Sequence, residues 1–426
     1  MVIHVVVPGD TLYSIAANYK VPMSQIAADN GLETPHQLVP GQALVIRFPL
    51  TVHIVRPGDT LTSIALQYNV SLRQLYQNNP ILGGQDEIWP GQSLVIAYQQ
   101  EPTRSIAVNA YAYPHISDSL LSFTLPYLTY LTPFTYGFTT EGELIAPDDE
   151  ALIKRALSIG TVPLMHLSTL TADGGFSNEL AHLLLNDRAL QEHLVEEIVS
   201  TLNQKGYGGL DVDFEYVYPE DASAYAAFLS SLSDRLGPLG YPVIAALAPK
   251  TSPIQRGALY EGHDFAAVGA AVDGVLLMTY EWGYTYGPPM AVAPLPNVRQ
   301  VLKYALTEIP HSKIWLGIPN YGYDWPLPFV QGESKATSIS SQQAVALARK
   351  YGVNIDYDQR AQAPWFRYTD EIGRRHEVWF EDARSIQAKL ELISQYGLVG
   401  AGYWNLMRDF PQNWLVLFSL YTIREA

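Results

Sequence analysis

The sequence predicts an α/β protein: a closed (β/α)8 barrel with a small β-hairpin insertion after its seventh strand, preceded by two small βααβ modules. Three observations carry this reading. A stretch near the N-terminus recurs once, from His4 to His53. Beyond it, eight apolar runs of strand length alternate with helical patterns, the signature of a parallel sheet wrapped by helices. Between the seventh and eighth runs, the alternation is broken by a second pair of strand-like segments.

The repeat comes first in the chain. His4-Val5-Val6-Val7-Pro8-Gly9-Asp10-Thr11-Leu12 returns as His53-Ile54-Val55-Arg56-Pro57-Gly58-Asp59-Thr60-Leu61, and Pro40-Gly41-Gln42 returns as Pro90-Gly91-Gln92. In each unit a β-branched run makes a short strand and Pro-Gly-Asp turns the chain. Asp or Thr is suited to cap the helix that follows. Leu12, Ile15, Ala16 and Tyr19 fall at helical spacing. A second helix follows Pro22 or Ser71, and Pro-Gly-Gln leads into a closing strand at Leu44–Ile46 or Leu94–Ile96.

These Pro-Gly-Asp-Thr-Leu, Ser-Ile-Ala and Pro-Gly-Gln segments resemble the LysM module over residues 2–47 and 52–97. The resemblance implies binding of N-acetylglucosamine-containing glycans, with Asp10, Thr11, Asp59 and Thr60 near the sugar. Helix capping alone also accounts for those four side chains. Two tandem sites would strengthen attachment to a polymer through effective concentration. As separable modules, they predict that removing residues 1–97 weakens attachment and spares hydrolysis of small substrates. Residues 48–51 and 99–105 read as linkers, the second marking a domain boundary.

From residue 103 to 426 the expected barrel strands are Ile106–Tyr111, Tyr127–Phe138, Val162–Leu167, Gly209–Glu215, Val243–Ala248, Gly274–Tyr280, Ile314–Pro319 and Leu398–Trp404. Expected helices cover 149–157, 186–204, 221–236, 298–306, 340–351 and 383–396. Trp365-Phe366-Arg367-Tyr368 and Glu377-Val378-Trp379-Phe380, around a turn at Ile372-Gly373, read as the inserted hairpin. An open doubly wound sheet is the alternative, but no G-x-G-x-x-G follows the first strand.

Composition narrows the function. The net charge is −16, from 26 basic and 42 acidic residues, which disfavours a nucleic-acid surface or an anionic-membrane anchor. The chain has no cysteine, which removes disulfides, thiolate metal sites and a cysteine nucleophile. No apolar run reaches membrane-spanning length, and Met1–Val7 lacks the features of a secretory signal.

The chemistry concentrates in Gly208-Gly209-Leu210-Asp211-Val212-Asp213-Phe214-Glu215-Tyr216. Side chains alternate across a strand, so Asp211, Asp213 and Glu215 share one face and Leu210, Val212 and Phe214 the other. The apolar face suits the helical layer, which sends the acids into the barrel, with Glu215 at the C-terminal mouth. Over five residues of strand the row spans about 13 Å, too spread for one metal ion. Stacked, buried carboxyls cannot all ionise, and a retained proton suits a general acid.

This segment resembles the signature of glycoside hydrolase family 18, D-G-x-D-x-D-x-E, with Gly208 in place of the first acid. The resemblance implies substrate-assisted hydrolysis, in which the sugar's own 2-acetamido oxygen attacks the anomeric carbon. By it, Glu215 is the acid and then the base, Asp213 holds the acetamide N–H, and Asp211 tunes Asp213. Leu277-Met278-Thr279-Tyr280-Glu281-Trp282 resembles the family's sixth-strand segment. That makes Tyr280 the donor to the acetamide carbonyl and places Met278 and Glu281 at the sugar; the family usually has Asp where Glu281 stands. Gly317-Ile318-Pro319-Asn320-Tyr321-Gly322 resembles the seventh-strand segment, so Asn320 and Tyr321 are expected in the pocket. Trp404 would floor the cleaved sugar, and Tyr111, followed by Tyr113, points to it from the first strand. No metal or cofactor is expected.

The whole arrangement resembles the spore cortex-lytic and germination hydrolases of endospore-forming bacteria. It implies a retaining β-N-acetylglucosaminidase acting on peptidoglycan and associated with the spore. A chitinase with the same chemistry and a non-catalytic glycan-binding lectin are the alternatives. Endo or exo action, muramic acid or its lactam, and the oligomeric state stay open.

Overall fold

The computed structural model describes residues 1–32, 34, 36–99, 102, 104–171 and 174–425. The second linker, 99–105, and the two ends of the barrel domain drawn from the sequence, 103 and 426, therefore fall wholly or partly outside the described residues.

Eight parallel strands close the barrel. They are Ser105–Ala112, Tyr130–Pro133, a third strand in two pieces (Val162–Pro163 and Met165–Ser168), Leu210–Asp213, Val243–Leu247, Gly274–Leu277, Ile314–Pro319 and Gly400–Trp404. The third strand is interrupted only at Leu164, whose amide still donates to the Leu131 carbonyl at 2.8 Å. Its first piece pairs with the second strand (Tyr130 with Val162) and its second piece with the fourth (Met165 with Leu210), which completes the ring. The eighth strand pairs with both the seventh and the first.

Two layers of apolar side chains hold this together. Leu210, Val212 and Phe214 face outward, fully buried. Phe214 stacks on Tyr225 and Phe228 of helix Ala222–Leu236, with ring centroids 5.6 and 6.2 Å away. The barrel interior is lined by Ala107, Tyr111, Leu164, Ile244, Ala246, Leu276 and Trp315. Alternation between these layers is what the period of two in each strand demands.

Several boundaries differ from the sequence reading. The fourth strand ends at Asp213, so Phe214 and Glu215 lie just past its pairing. The second strand covers only Tyr130–Pro133, and Tyr280 lies beyond the sixth strand. Helices Asp118–Thr124, Asn178–Asn186, Phe265–Ala271 and Pro411–Leu420 lie outside the expected set.

The inserted hairpin is present, pairing Trp365 with Trp379 and Thr369 with Arg375. It is the centre of something larger. Strand Tyr321–Leu327 pairs with Arg375–Trp379 on one side and Thr337–Ser340 on the other, and Asp356–Asp358 closes the far edge of a five-stranded antiparallel sheet.

Each N-terminal repeat forms a two-stranded antiparallel sheet and two helices. Both pack on the barrel. Val45 and Ala43 of the first repeat belong to the main apolar core, and Val39 to the core of the inserted sheet. The modules are thus joined by packed surface as well as by linkers.

Candidate active site

The inward face of the fourth strand carries the acids. In register, Asp211 lies opposite His166 of the third strand and Ile244 of the fifth, and Asp213 lies opposite Ser168. Asp211 is wholly buried and Asp213 is 9% exposed. Gly208, where the resembled signature has an acid, has no room for one. A Cβ there would sit 2.2 Å from Val162 Cγ1.

Burial governs the protons. Asp211 ends raised from 3.8 to about 6: desolvation lifts it most, the neighbouring His166 imidazole and a 2.6 Å hydrogen bond from the Tyr111 hydroxyl hold it back, and the Asp213 charge adds to the rise. Glu215 rises from 4.5 to about 8, first by burial, then by the Asp213 and Glu281 carboxylates. It therefore keeps its proton at neutral pH, and it stands at the mouth, where a proton donor is of use.

A cleft of about 200 Å³ opens above these groups. Asp213, Glu215, Tyr280, Trp404, Tyr111, Met278 and Glu281 all line it. Trp404 ends the eighth strand. Its ring packs against Phe134 (centroids 5.0 Å apart), Tyr111 (5.6 Å) and Tyr113 (6.1 Å), so an aromatic floor adjoins the acidic row.

Asn320 and Tyr321 do not line the cleft as expected. Asn320 is 1% exposed, and Tyr321 turns its hydroxyl to Glu281 Oε1. Tyr323 donates to the same carboxylate at 3.0 Å. Glu281 has φ +64°, a left-handed conformation costly for a side chain with a Cβ. The two tyrosines of the inserted sheet's first strand hold it there, so these residues act on the cleft through Glu281.

In the first repeat, Thr11 caps helix Leu12–Tyr19 while Asp10 binds His4 Nε2 at 3.0 Å and the Val7 amide at 2.9 Å. Thr60 and Asp59 do the same in the second. All four side chains thus have local bonding roles.

Cleft residues without a sequence signal of a role include Leu259 and Tyr260, from the long loop after the fifth strand, Trp282 beside Glu281, and Pro249. His166 is another. It is fully buried, its Nδ1 2.6 Å from Thr135 Oγ1, and its ring packs on Phe134 and Tyr111. Only the cross-strand register with Asp211 reveals it. Among the described residues, no group of three or more His, Asp or Glu side chains is placed to hold a metal ion.

A (β/α)8 barrel with an inward acidic row, a protonated carboxyl at its C-terminal mouth and an aromatic floor defines a barrel glycosidase. Residues 110–409 match the glycosyl hydrolases family 18, and residues 4–47 and 53–97 match the LysM domain; the chain belongs to family 18. It is 45% identical to the cortical fragment-lytic enzyme of Bacillus subtilis, over 99% of each chain. Among solved structures it resembles the spore cortex-lytic enzyme SleL of Bacillus megaterium, with TM-score 0.85 and 39% identity over 100% of this chain and 99% of that one. A chitinase from Chromobacterium violaceum is more distant, with TM-score 0.68 and 26% identity over 74% of this chain and 98% of that one.

Proposed function

We propose that this chain is a retaining β-N-acetylglucosaminidase that hydrolyses spore-cortex peptidoglycan by substrate-assisted catalysis and is held on that glycan through its LysM repeats. The observation that carries the mechanism is the placement of Glu215 beside Asp213 on the wall of the cleft, where burial and the neighbouring carboxylates push its pKa up to about 8.

Glu215 protonates the glycosidic oxygen as the bond to the anomeric carbon breaks. The 2-acetamido oxygen of the same sugar attacks the anomeric carbon from the face opposite the leaving oxygen and forms an oxazoline-type intermediate. Asp213 accepts the acetamide N–H and balances the positive charge; Tyr280, 8% exposed and lining the cleft, steadies the acetamide oxygen. Glu215, now ionised, takes a proton from water as the water attacks the anomeric carbon, and the ring opens with net retention. Asp211, held by Tyr111, sets how much charge Asp213 carries. Trp404 stacks beneath the sugar being cleaved.

Cortex is favoured as the polymer because the relatives similar over nearly the full chain are named for lysis of cortical fragments. Association with the spore rests on the same likeness. Mass spectrometry of the products from purified cortex tests the reading. Fragments ending in reducing N-acetylglucosamine are expected. Turnover confined to chitin oligomers would replace it with a chitinase, and no turnover of either with a glycan-binding lectin.

A further inference from the structure

The two repeats share one turn in two different surroundings. In the first, the Val39 amide donates to Gln42 Oε1 at 3.1 Å and the Gly41 amide to the Val6 carbonyl at 2.8 Å. In the second, the Trp89 amide donates to Gln92 Oε1 at 3.0 Å and the Gly91 amide to the Val55 carbonyl at 2.8 Å. Gly41 and Gly91 have φ +87° and +90°. Locally the turns are the same.

Their neighbours are not. Val39 is 3% exposed and packs in the core of the inserted sheet. The Pro40 carbonyl accepts from the Ile355 amide at 2.9 Å, Gln37 from Arg349 at 3.0 Å, and Gly41 from Arg384 at 3.0 Å. A Cβ on Gly41 would lie 1.8 Å from the Ile355 carbonyl oxygen. On Gly91, a Cβ would meet nothing within 4 Å. Trp89, at the position of Val39, is 67% exposed. The second repeat docks instead by its second helix, where Arg73 and Gln77 donate to the Pro126 carbonyl at 2.8 and 2.7 Å. That leaves its turn facing outward.

We propose that the two repeats have divided their work. The second holds the glycan through an open turn on which Trp89 is the stacking platform. The first is a brace between its own sheet and the barrel's inserted sheet. This rests on the reading of the chain as a glycan-anchored hydrolase and says which repeat does the anchoring.

The occupant follows from the chemistry of the turn. A large indole 67% exposed is an apolar plane with one polar edge, suited to the C–H face of a pyranose. Asp86 and Glu87, both exposed, stand three and two residues from it and disfavour a polyanion such as nucleic acid or an acidic membrane. The bond from Gly91 to Val55 sets this turn beside the exposed Arg56–Thr60 turn, so a chain of sugars has a continuous track. Attachment is then through one LysM site per chain, without the avidity two would provide.

The test uses full-length chains carrying Glu215→Gln, so the polymer stays intact, sedimented with purified peptidoglycan. Trp89→Ala should cut the bound fraction at least five-fold with an unchanged melting temperature. Tyr13→Ala, on the exposed side of the first repeat, should leave sedimentation unchanged. Gly41→Ala should melt lower than Gly91→Ala, since the two share one backbone strain and differ only in what the new methyl meets. Undiminished sedimentation of Trp89→Ala, an equal loss in Tyr13→Ala, or equal melting of the two glycine variants would overturn the division. A parent chain that does not sediment at all overturns the anchoring reading itself, and this inference with it.

Discussion

His166 Nε2 lies 3.6 Å from Asp213 Oδ2 inside the barrel, and the same imidazole stands in register with Asp211 on the neighbouring strand. At that distance the contact is electrostatic rather than a hydrogen bond. Both acids of the row therefore feel one buried ring, itself fixed by Thr135 and packed on Phe134.

His166 acts as a positioning residue for the acids, and His166→Asn tests it. The imidazole holds Asp211 down against desolvation, so its loss lets Asp211 take its proton at higher pH. The acid limb of the kcat–pH profile should move upward, with KM little changed. A purely structural histidine would lower the melting temperature and leave the limb in place.

Glu215→Gln should lower kcat by about 10²–10⁴-fold without unfolding the protein, the range for a positioned general acid. In the native chain kcat/KM should fall as pH rises through about 8, where Glu215 loses its proton. Stability has the same sign. Glu215 and Asp211 bind protons more tightly folded than unfolded, so their stabilising contribution is complete below their ordinary values of 4.5 and 3.8. It is lost as pH rises through about 8 and about 6. Glu215→Gln should remove the upper part of that decline, read as melting temperature against pH.

Asp213→Asn should lower kcat by about 10²–10³-fold, the scale of losing one group aimed at developing charge. The variant keeps the shape of the side chain and loses its charge. A thiazoline analogue of the oxazoline intermediate should inhibit the native enzyme competitively and bind Asp213→Asn at least about tenfold more weakly, a difference of 1.4 kcal/mol. Absence of inhibition would favour a covalent carboxylate route.

What the sequence disclosed is what a single strand can disclose. Asp211 and Asp213 follow from period-two alternation, and Leu210, Val212 and Phe214 from its complement. The repeat was legible because identical turns recur. The supports of the site come from other strands. His166 is an isolated histidine in an apolar run, and nothing in the linear order says it meets Asp211. Tyr321 looks like a pocket residue by position, and Tyr323, two residues on, carries no signal of its own. Only the pairing of the inserted sheet turns both hydroxyls onto Glu281. The inserted sheet was half visible, because its hairpin is contiguous while strand Tyr321–Leu327 joins it only by pairing with Arg375–Trp379 across helix Ser341–Lys350.

Docking of the repeats changes the expectation for a chain lacking residues 1–97. Treated as beads on a linker, they could be removed without cost to the barrel. In the structure Val39 fills the inserted sheet's core and Val45 the main one, while Gln412 donates to the Ala43 carbonyl at 2.7 Å. Burial of the two valines alone is worth at least about 3 kcal/mol. The deletion also bares their partners, Phe380 and Ile355 among them, to water. For a domain of this size that loss lowers the melting temperature by about 4 °C or more. The truncated barrel should therefore melt earlier by calorimetry, bind a hydrophobic dye, and lose small-substrate activity in step with its folded fraction. A truncated barrel with an unchanged melting temperature and full activity would show that the contact surface contributes nothing to the barrel's stability.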